Sequence, residues 1–255
     1  IAVDLYNLPS KEDRDGRSYY TWASLRDMFQ ELVENISKDT SPDSQNAEGD
    51  FKLLLLISHY LATRSACQTQ KALQEMAAKL SVSLLRHSDV IPADKAFYEA
   101  GVHSREVGWS NMAFVFLNRY LDLYEAIEEG SLDMLDNSDF LDTDIPFEVP
   151  LPESPHLSLQ DHEEVKEWVL AVSMDQKVEQ QLPLDERNTF EASLAAAGTG
   201  TLSPPCIITG YPVLQGGNVI EFAKEGCLAN KEEWNKFVTV SYTHLRAHET
   251  RGNLV

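Results

Sequence analysis

The stretch from Trp109 to Ile127 constrains the fold most, because large apolar side chains recur there every three or four positions. The residues that carry this pattern are Trp109, Met112, Ala113, Phe116, Leu117, Tyr120, Leu121, Tyr124 and Ile127. This spacing places side chains on one side of an α-helix. Gly130 follows at a position suited to the left-handed residue that ends many helices. The stretch therefore predicts a long amphipathic helix with a large apolar face.

Helical spacing continues through the rest of the N-terminal half. Residues 22–36 carry an apolar stripe, and a polar loop is expected between that helix and residue 50. Residues 51–62 are apolar nearly all round, which predicts a helix enclosed by its neighbours. A third helix is expected over about 68–86, and Pro92 suits the first turn of a fourth.

These helices are expected to pack in antiparallel pairs. Ala93, Ala96 and Ala100 precede Gly101 and would let a neighbouring helix approach closely. Paired helices of this length, with small residues at contacts and aromatic residues in the grooves, are typical of tetratricopeptide-like solenoids. We therefore predict a mainly α fold, with a helical-repeat rod segment over residues 1–130.

A strongly acidic segment follows the long helix. No lysine or arginine occurs between Tyr120 and Val165, whereas aspartate and glutamate recur throughout. The prolines, which forbid a continuing helix, are Pro146, Pro150, Pro152 and Pro155. We interpret residues 131–157 as an acidic, proline-rich linker. It is either a solvated spacer that self-repulsion keeps extended or a docking segment for a basic partner surface.

The overall charge excludes several classes of function. The chain has 41 acidic and 21 basic residues, a formal net charge of −20. Nucleic acids and anionic membranes attract basic proteins, so neither is an expected partner. The longest purely apolar run, Met112 to Leu117, is far shorter than the roughly 20 residues that a transmembrane helix needs. Three scattered cysteines favour a reducing, intracellular location over a secreted disulfide framework.

The C-terminal third combines helices with short β segments. A helix is expected behind Ser158, a potential N-cap, and another over 185–197. Residues 206–213 and 219–222 predict two β segments around a glycine-rich turn, followed by a helix over about 231–240.

No motif in the sequence predicts catalysis, a cofactor or a metal site. Cys206 and Cys227 are isolated from each other and cannot supply the four ligands of structural zinc. His244 and His248 have the i, i+4 spacing of metal-binding histidines, but the accompanying glutamate is absent. Both histidines fall in residues 241–255, whose abrupt basic composition resembles a translated adapter sequence and predicts a non-native tail.

Three long stretches resemble the C-terminal part of the intraflagellar transport protein 172 family, the large peripheral subunits of the ciliary transport B complex. They are residues 93–101, 109–120 and 205–213. The resemblance extends to about Val240 and implies a place in a helical-repeat rod. It also implies location in the cilium, at the axoneme and basal body, and in the cytoplasm.

The terminal module of that family is similar to a U-box, a zinc-free relative of the RING finger. The positions that match the usual U-box opening are Cys206, Ile208, Thr209, Pro212 and Val213, while Ile207 replaces a proline. Residues 158–240 are therefore predicted to contain a small, incomplete α+β U-box-like module. By resemblance, Ile208 takes the position of the apolar residue that contacts a conjugating enzyme, and Ile207, Ile208 and Pro212 are the candidate partner-binding residues.

The sequence leads to two functional hypotheses of different classes. The first is a non-enzymatic scaffold that contacts other intraflagellar transport subunits, motors or cargo through its helical surfaces. The second is a ubiquitin-linked module that binds ubiquitin or recruits a ubiquitin-conjugating enzyme. Exposure of the three-residue patch would favour the second, and its burial beneath the helix near Trp234 and Phe237 would favour the first.

Overall fold

The computed structural model describes residues 17–38, 42–133, 135–141, 143–174, 178–182, 204–213, 218–222 and 227–252. Its helices are α1 (Arg17–Ile36), α2 (Pro42–Gln68), α3 (Gln74–Leu84), α4 (Ala93–Glu106), α5 (Ser110–Glu129), α6 (Leu159–Ser173) and α7 (Lys231–Gly252). The described residues also form the strands β1 (Val219–Glu221) and β2 (Leu228–Asn230) and the 3₁₀ turns Lys71–Leu73, Leu85–His87 and Ser138–Phe140. The prediction of a mainly α protein is confirmed.

Helices α1 to α5 pack in chain order, each against the next. Two predicted boundaries are wrong. The loop expected before residue 50 is helical. Pro42 begins α2, and the first turn of a helix tolerates proline because its missing N–H would have no partner there. One turn apart in the same helix, Glu48 and Lys52 form an ion pair at 2.8 Å. The single helix expected over about 68–86 is interrupted at Gln70, whose backbone is extended.

The contact between α4 and α5 depends on Gly101. A Cβ atom placed on Gly101 would lie 2.4 Å from Cγ and 2.6 Å from Cδ2 of Leu117 on α5. Leu117 is fully buried, and the close packing of protein interiors resists its displacement. The small residue that the sequence indicated therefore sets how closely these two helices approach.

The Gly101→Ala variant is expected to be less stable by about 1–2 kcal/mol, because overpacking at Leu117 outweighs the better helix propensity of alanine. Gly49→Ala in α2 is the matched control, since a Cβ there meets nothing within 4 Å. That change should stabilise the chain by about 0.5–1 kcal/mol. Urea unfolding of both variants measures the difference, and a gain of stability in each would contradict the close contact.

The end of α5 follows the prediction. Gly130 has a positive φ of 70° and caps the helix, with its N–H donating to the carbonyl of Ile127. The N–H of Ser131 donates to the carbonyl of Ala126 at 3.1 Å. Glycine adopts this left-handed backbone without a Cβ clash, so the chain can leave the helix sharply.

The segment predicted to be a linker, residues 131–157 and hereafter called the strap, is packed on the helices. Phe140, Ile145 and Val149 are 2%, 5% and 7% exposed and belong to the common core. The Arg119 side chain donates to the carbonyl of Asp136 at 3.0 Å. The interpretation as a solvated spacer is therefore wrong for the described part of the strap, because apolar residues between the acids are buried. The boundaries of the strap as a domain division stay predictions.

Helix α6 begins as the sequence indicates. Ser158 is its N-cap, and its hydroxyl accepts from the N–H of Asp161 at 3.3 Å. The helix packs against α5, where the rings of His162 and Tyr124 stack with centroids 3.8 Å apart. The helix expected over 185–197 lies outside the described residues.

The two strands form a small antiparallel sheet in which Ile220 pairs with Ala229. Residues 206–213 contribute isolated bridges in place of the predicted strand, with Cys206 bridging to Leu228. Helix α7 continues from Lys231 past the expected end at Val240 to Gly252. The non-native origin of residues 241–255 stays a prediction.

Candidate interaction site

Residues 204–213, hereafter called the docking loop, contain the candidate binding residues and fold back on themselves. The N–H of Cys206 donates to the carbonyl of Tyr211 at 2.7 Å, and the N–H of Gly210 donates to the carbonyl of Cys206 at 2.7 Å. A third bond runs from the N–H of Ile207 to the carbonyl of Leu228 in β2 at 2.8 Å. The loop is thus closed by main-chain hydrogen bonds and is attached to the small sheet.

Side chains of the helical part contact the main-chain carbonyls of the docking loop. The Ser83 hydroxyl donates to the carbonyl of Thr209 at 2.7 Å, and Arg86 Nη1 donates to the carbonyl of Gly210 at 2.6 Å. His59 Nε2 lies 2.8 Å from the carbonyl oxygen of Ile207. Burial lowers the pKa of His59, which favours the neutral imidazole. These donors fix the position of the loop on α2 and on the end of α3.

Gly210 allows the loop to approach the helices this closely. Its φ of 72° lies in the left-handed region, and a Cβ there would be 2.5 Å from Cβ of Ser83. Both the backbone conformation and the lack of space therefore exclude larger residues at this position.

Glu233, at the start of α7, contacts both the docking loop and α3 and so links them. Its carboxylate lies 2.9 Å from Lys79 Nζ and accepts from the Thr209 hydroxyl at 2.8 Å. Burial alone would raise the pKa of Glu233, but the attraction of Lys79 and the hydrogen bonds outweigh it and lower the pKa below its usual value. The charged carboxylate is therefore the form that this junction stabilises.

The structure places the three predicted binding residues together in the docking loop but does not expose all of them. Ile208 is 3% exposed and belongs to the core that the helices share. Ile207 and Pro212 are half-buried, and Ile207 packs against the same core, as do Trp234 and Phe237. The exposed apolar patch that the ubiquitin-linked hypothesis requires is therefore not present at Ile208, because the loop rests on α2 and α3. Partner binding by these residues stays a prediction.

The residues that hold the loop are not among those predicted from the sequence. His59, Ser83 and Arg86 are polar positions within or next to strongly apolar helical stretches. A polar residue in such a stretch signals a buried hydrogen bond, but its partner lies more than 100 residues away in the chain and cannot be identified from spacing.

A second buried polar cluster lies among α2, α3 and α4. Arg64 Nη1 is 2.7 Å from Glu99 Oε2, with side-chain exposures of 7% and 11%. His103 Nδ1 lies 2.7 Å from the Ser81 hydroxyl, and its Nε2 lies 2.8 Å from Nε2 of Gln68. Burial, aided by the charge of Arg64, lowers the pKa of His103 to about 4. The neutral histidine and the charged pair therefore join three helices.

The described residues bring no three histidine, cysteine or acidic side chains together as a metal-binding group. Cys206 is fully buried, and burial raises the pKa of its thiol. Cys67 is also fully buried, with its thiol pKa raised to about 12. Within the same part of the chain, no helix has the length and apolar character needed to cross a bilayer.

The fold and the docking loop define a class of protein: a mainly helical chain with a C-terminal β segment fixed to its helices. Over 238 residues, 93% of the chain, it is 57% identical to the intraflagellar transport protein 172 homolog of Mus musculus and 59% identical to that of Homo sapiens. The Chlamydomonas reinhardtii intraflagellar transport protein 172 is 38% identical over 226 residues, 84% of the chain. The resemblance to a segment of the intraflagellar transport protein 172 family is confirmed.

The chain spans about 13% of the length of these curated relatives. No protein-family model matches it.

Proposed function

We propose that this chain is a non-enzymatic scaffold segment that acts in intraflagellar transport within the cilium and contacts other transport subunits, motors or cargo. The observation that carries the proposal is the identity of 55–59% with four vertebrate proteins that are named for this transport. Identity at this level over nearly the whole chain supports the same packing and related surfaces.

The packing of the helices supports a scaffold role. The apolar residues of α1 to α6 form one core with the docking loop and β2, so the core does not depend on the side chains that point outward. Repeat-like helical stacks can vary these outer positions for partners without disturbing their interior. We propose that the stack is tetratricopeptide-like, in agreement with its sequential pairing of α1 to α5.

The acidic surface favours basic partners. Among the described residues of the strap, the exposed acidic residues are Asp133, Asp136, Asp139, Glu148 and Glu153. Because the strap is held on the helices, these carboxylates occupy defined positions and could bind a basic surface with little loss of conformational entropy. The ubiquitin-linked alternative receives no such support, since Ile208 is buried.

Binding titrations with purified components test the proposal. The chain is mixed separately with the other subunits of the intraflagellar transport B complex, with ubiquitin and with a charged ubiquitin-conjugating enzyme. We expect at least one transport subunit to bind and its affinity to fall as salt is raised, because exposed charge pairs are screened. Binding of ubiquitin or the conjugating enzyme, with no transport subunit bound, would reject the scaffold function.

A further inference from the structure

Arg86 contacts two segments that are far apart in the sequence. It lies in the 3₁₀ turn Leu85–His87, and its Nε is 2.6 Å from Asp144 Oδ2 in the strap. Its Nη1 donates to the carbonyl of Gly210 in the docking loop at 2.6 Å. The Arg86 guanidinium therefore lies between the strap and the docking loop, and the Arg86 backbone belongs to the helical stack.

The position of this guanidinium makes the two contacts interdependent. The Arg86 side chain is 15% exposed, so most of its charge is removed from water. A buried guanidinium is costly unless a carboxylate compensates it, and its planar fork can hold two acceptors in one geometry. Without Asp144, the side chain is better solvated if it turns outward, and it then gives up the carbonyl of Gly210.

Each segment also has attachments of its own, so the loss of one does not unfold the other. The strap is anchored at His156, whose N–H donates to the carboxylate of buried Asp94 in α4 at 2.9 Å. His156 Nδ1 lies 2.8 Å from the same carboxylate. The docking loop keeps its bonds to Ser83 and Glu233. Because Arg86 contacts both segments and each segment is anchored independently, displacement of one segment can weaken the contact of Arg86 with the other.

We propose that Arg86 couples the docking of the strap to the docking of the C-terminal loop, so that withdrawal of Asp144 loosens the loop and uncovers Ile208. The coupling is a property of the fold. Its consequence for partners rests on the proposed function: a basic partner that captures Asp144 would make the apolar side of the docking loop accessible.

Labelling of Cys206 by a thiol reagent, followed by peptide mass spectrometry on the whole chain, measures opening of the loop. Cys206 is fully buried in the loop, and Cys67 is fully buried in α2 and reports unfolding of the helices. In the Asp144→Asn variant we expect Cys206 to react about tenfold faster or more, the size of coupling between residues that share a contact. The rate at Cys67 should not change.

Asp139→Asn is the matched control, because it makes the same chemical change at an exposed strap position and should leave Cys206 protected. The reciprocal variant is Ser83→Ala, which removes a bond to the loop. It should increase hydrogen exchange of the strap around Ile145.

Two results would overturn the proposal. Unchanged protection of Cys206 in both Asp144→Asn and Arg86→Met would show that the segments dock independently. Equal acceleration at Cys206 and Cys67 would show general destabilisation instead of coupling. Neither experiment contains a partner, so the coupling can fail while the scaffold function stands, and the reverse also holds.

Discussion

Replacing Phe116 by alanine is expected to lower the free energy of unfolding by about 3–5 kcal/mol. Phe116 lies on α5, is fully buried, and its ring centroid is 6.3 Å from that of Phe97 on α4. Truncation removes a large apolar side chain from water-free surroundings and leaves a cavity that rigid neighbouring helices cannot close. Urea unfolding monitored by circular dichroism gives the change directly.

Phe147→Ala in the strap is the control for this prediction. Phe147 is 39% exposed, so the same chemical change should cost less than that at Phe116, about 1 kcal/mol or below. Similar losses in the two variants would contradict the placement of Phe116 in the centre of the α4–α5 contact.

Breaking the ion pair between Arg64 and Glu99 is expected to have an effect of the same size. Glu99→Ala leaves the Arg64 guanidinium buried without its carboxylate at 2.7 Å, and we expect a loss of about 3–5 kcal/mol. Glu99 also offsets the charge of buried Lys95, so the cost arises from two cations that lose its carboxylate. The double variant Arg64→Met, Glu99→Leu should therefore recover the part of the lost stability that is due to Arg64, which the same urea unfolding measures.

The pair between Lys52 and Glu48 provides the comparison. Its charged atoms are 2.8 Å apart, nearly the distance in the buried pair, but the Lys52 side chain is 60% exposed. Glu48→Ala should cost less than about 1 kcal/mol because water solvates the remaining lysine. If Glu99→Ala costs no more than Glu48→Ala, burial is not what makes the Arg64 pair important.

The local elements could be predicted from the sequence where a physical signal is local. The apolar spacing over Trp109–Ile127, the left-handed Gly130 and the Ser158 cap each act within one or two helical turns, and each lies where it was predicted. The ends of the helices could be predicted less accurately than their existence. The sequence predicts a polar loop up to residue 50, whereas Pro42 begins α2, because proline is compatible both with a loop and with the first turn of a helix.

The candidate site could be predicted only in part. The sequence predicts a β segment over residues 206–213 with three candidate binding residues in it, but it leaves open whether Ile208 is exposed or buried. Its burial depends on His59, Ser83 and Arg86, whose hydrogen bonds reach across more than 100 positions of the chain. The strap shows the same limit, since its charge and prolines indicated a solvated linker while Phe140 and Ile145 anchor it.

By itself, the sequence determined the mainly helical character, the amphipathic faces and the kinship with a segment of a ciliary transport protein. These depend on side-chain periodicity and on identity along the chain. Only the tertiary structure decided that the strap and the docking loop lie on the helices and meet at Arg86. An isolated segment cannot specify this, because the free energy of burying Phe140 or of pairing Asp144 depends on a surface that distant residues build.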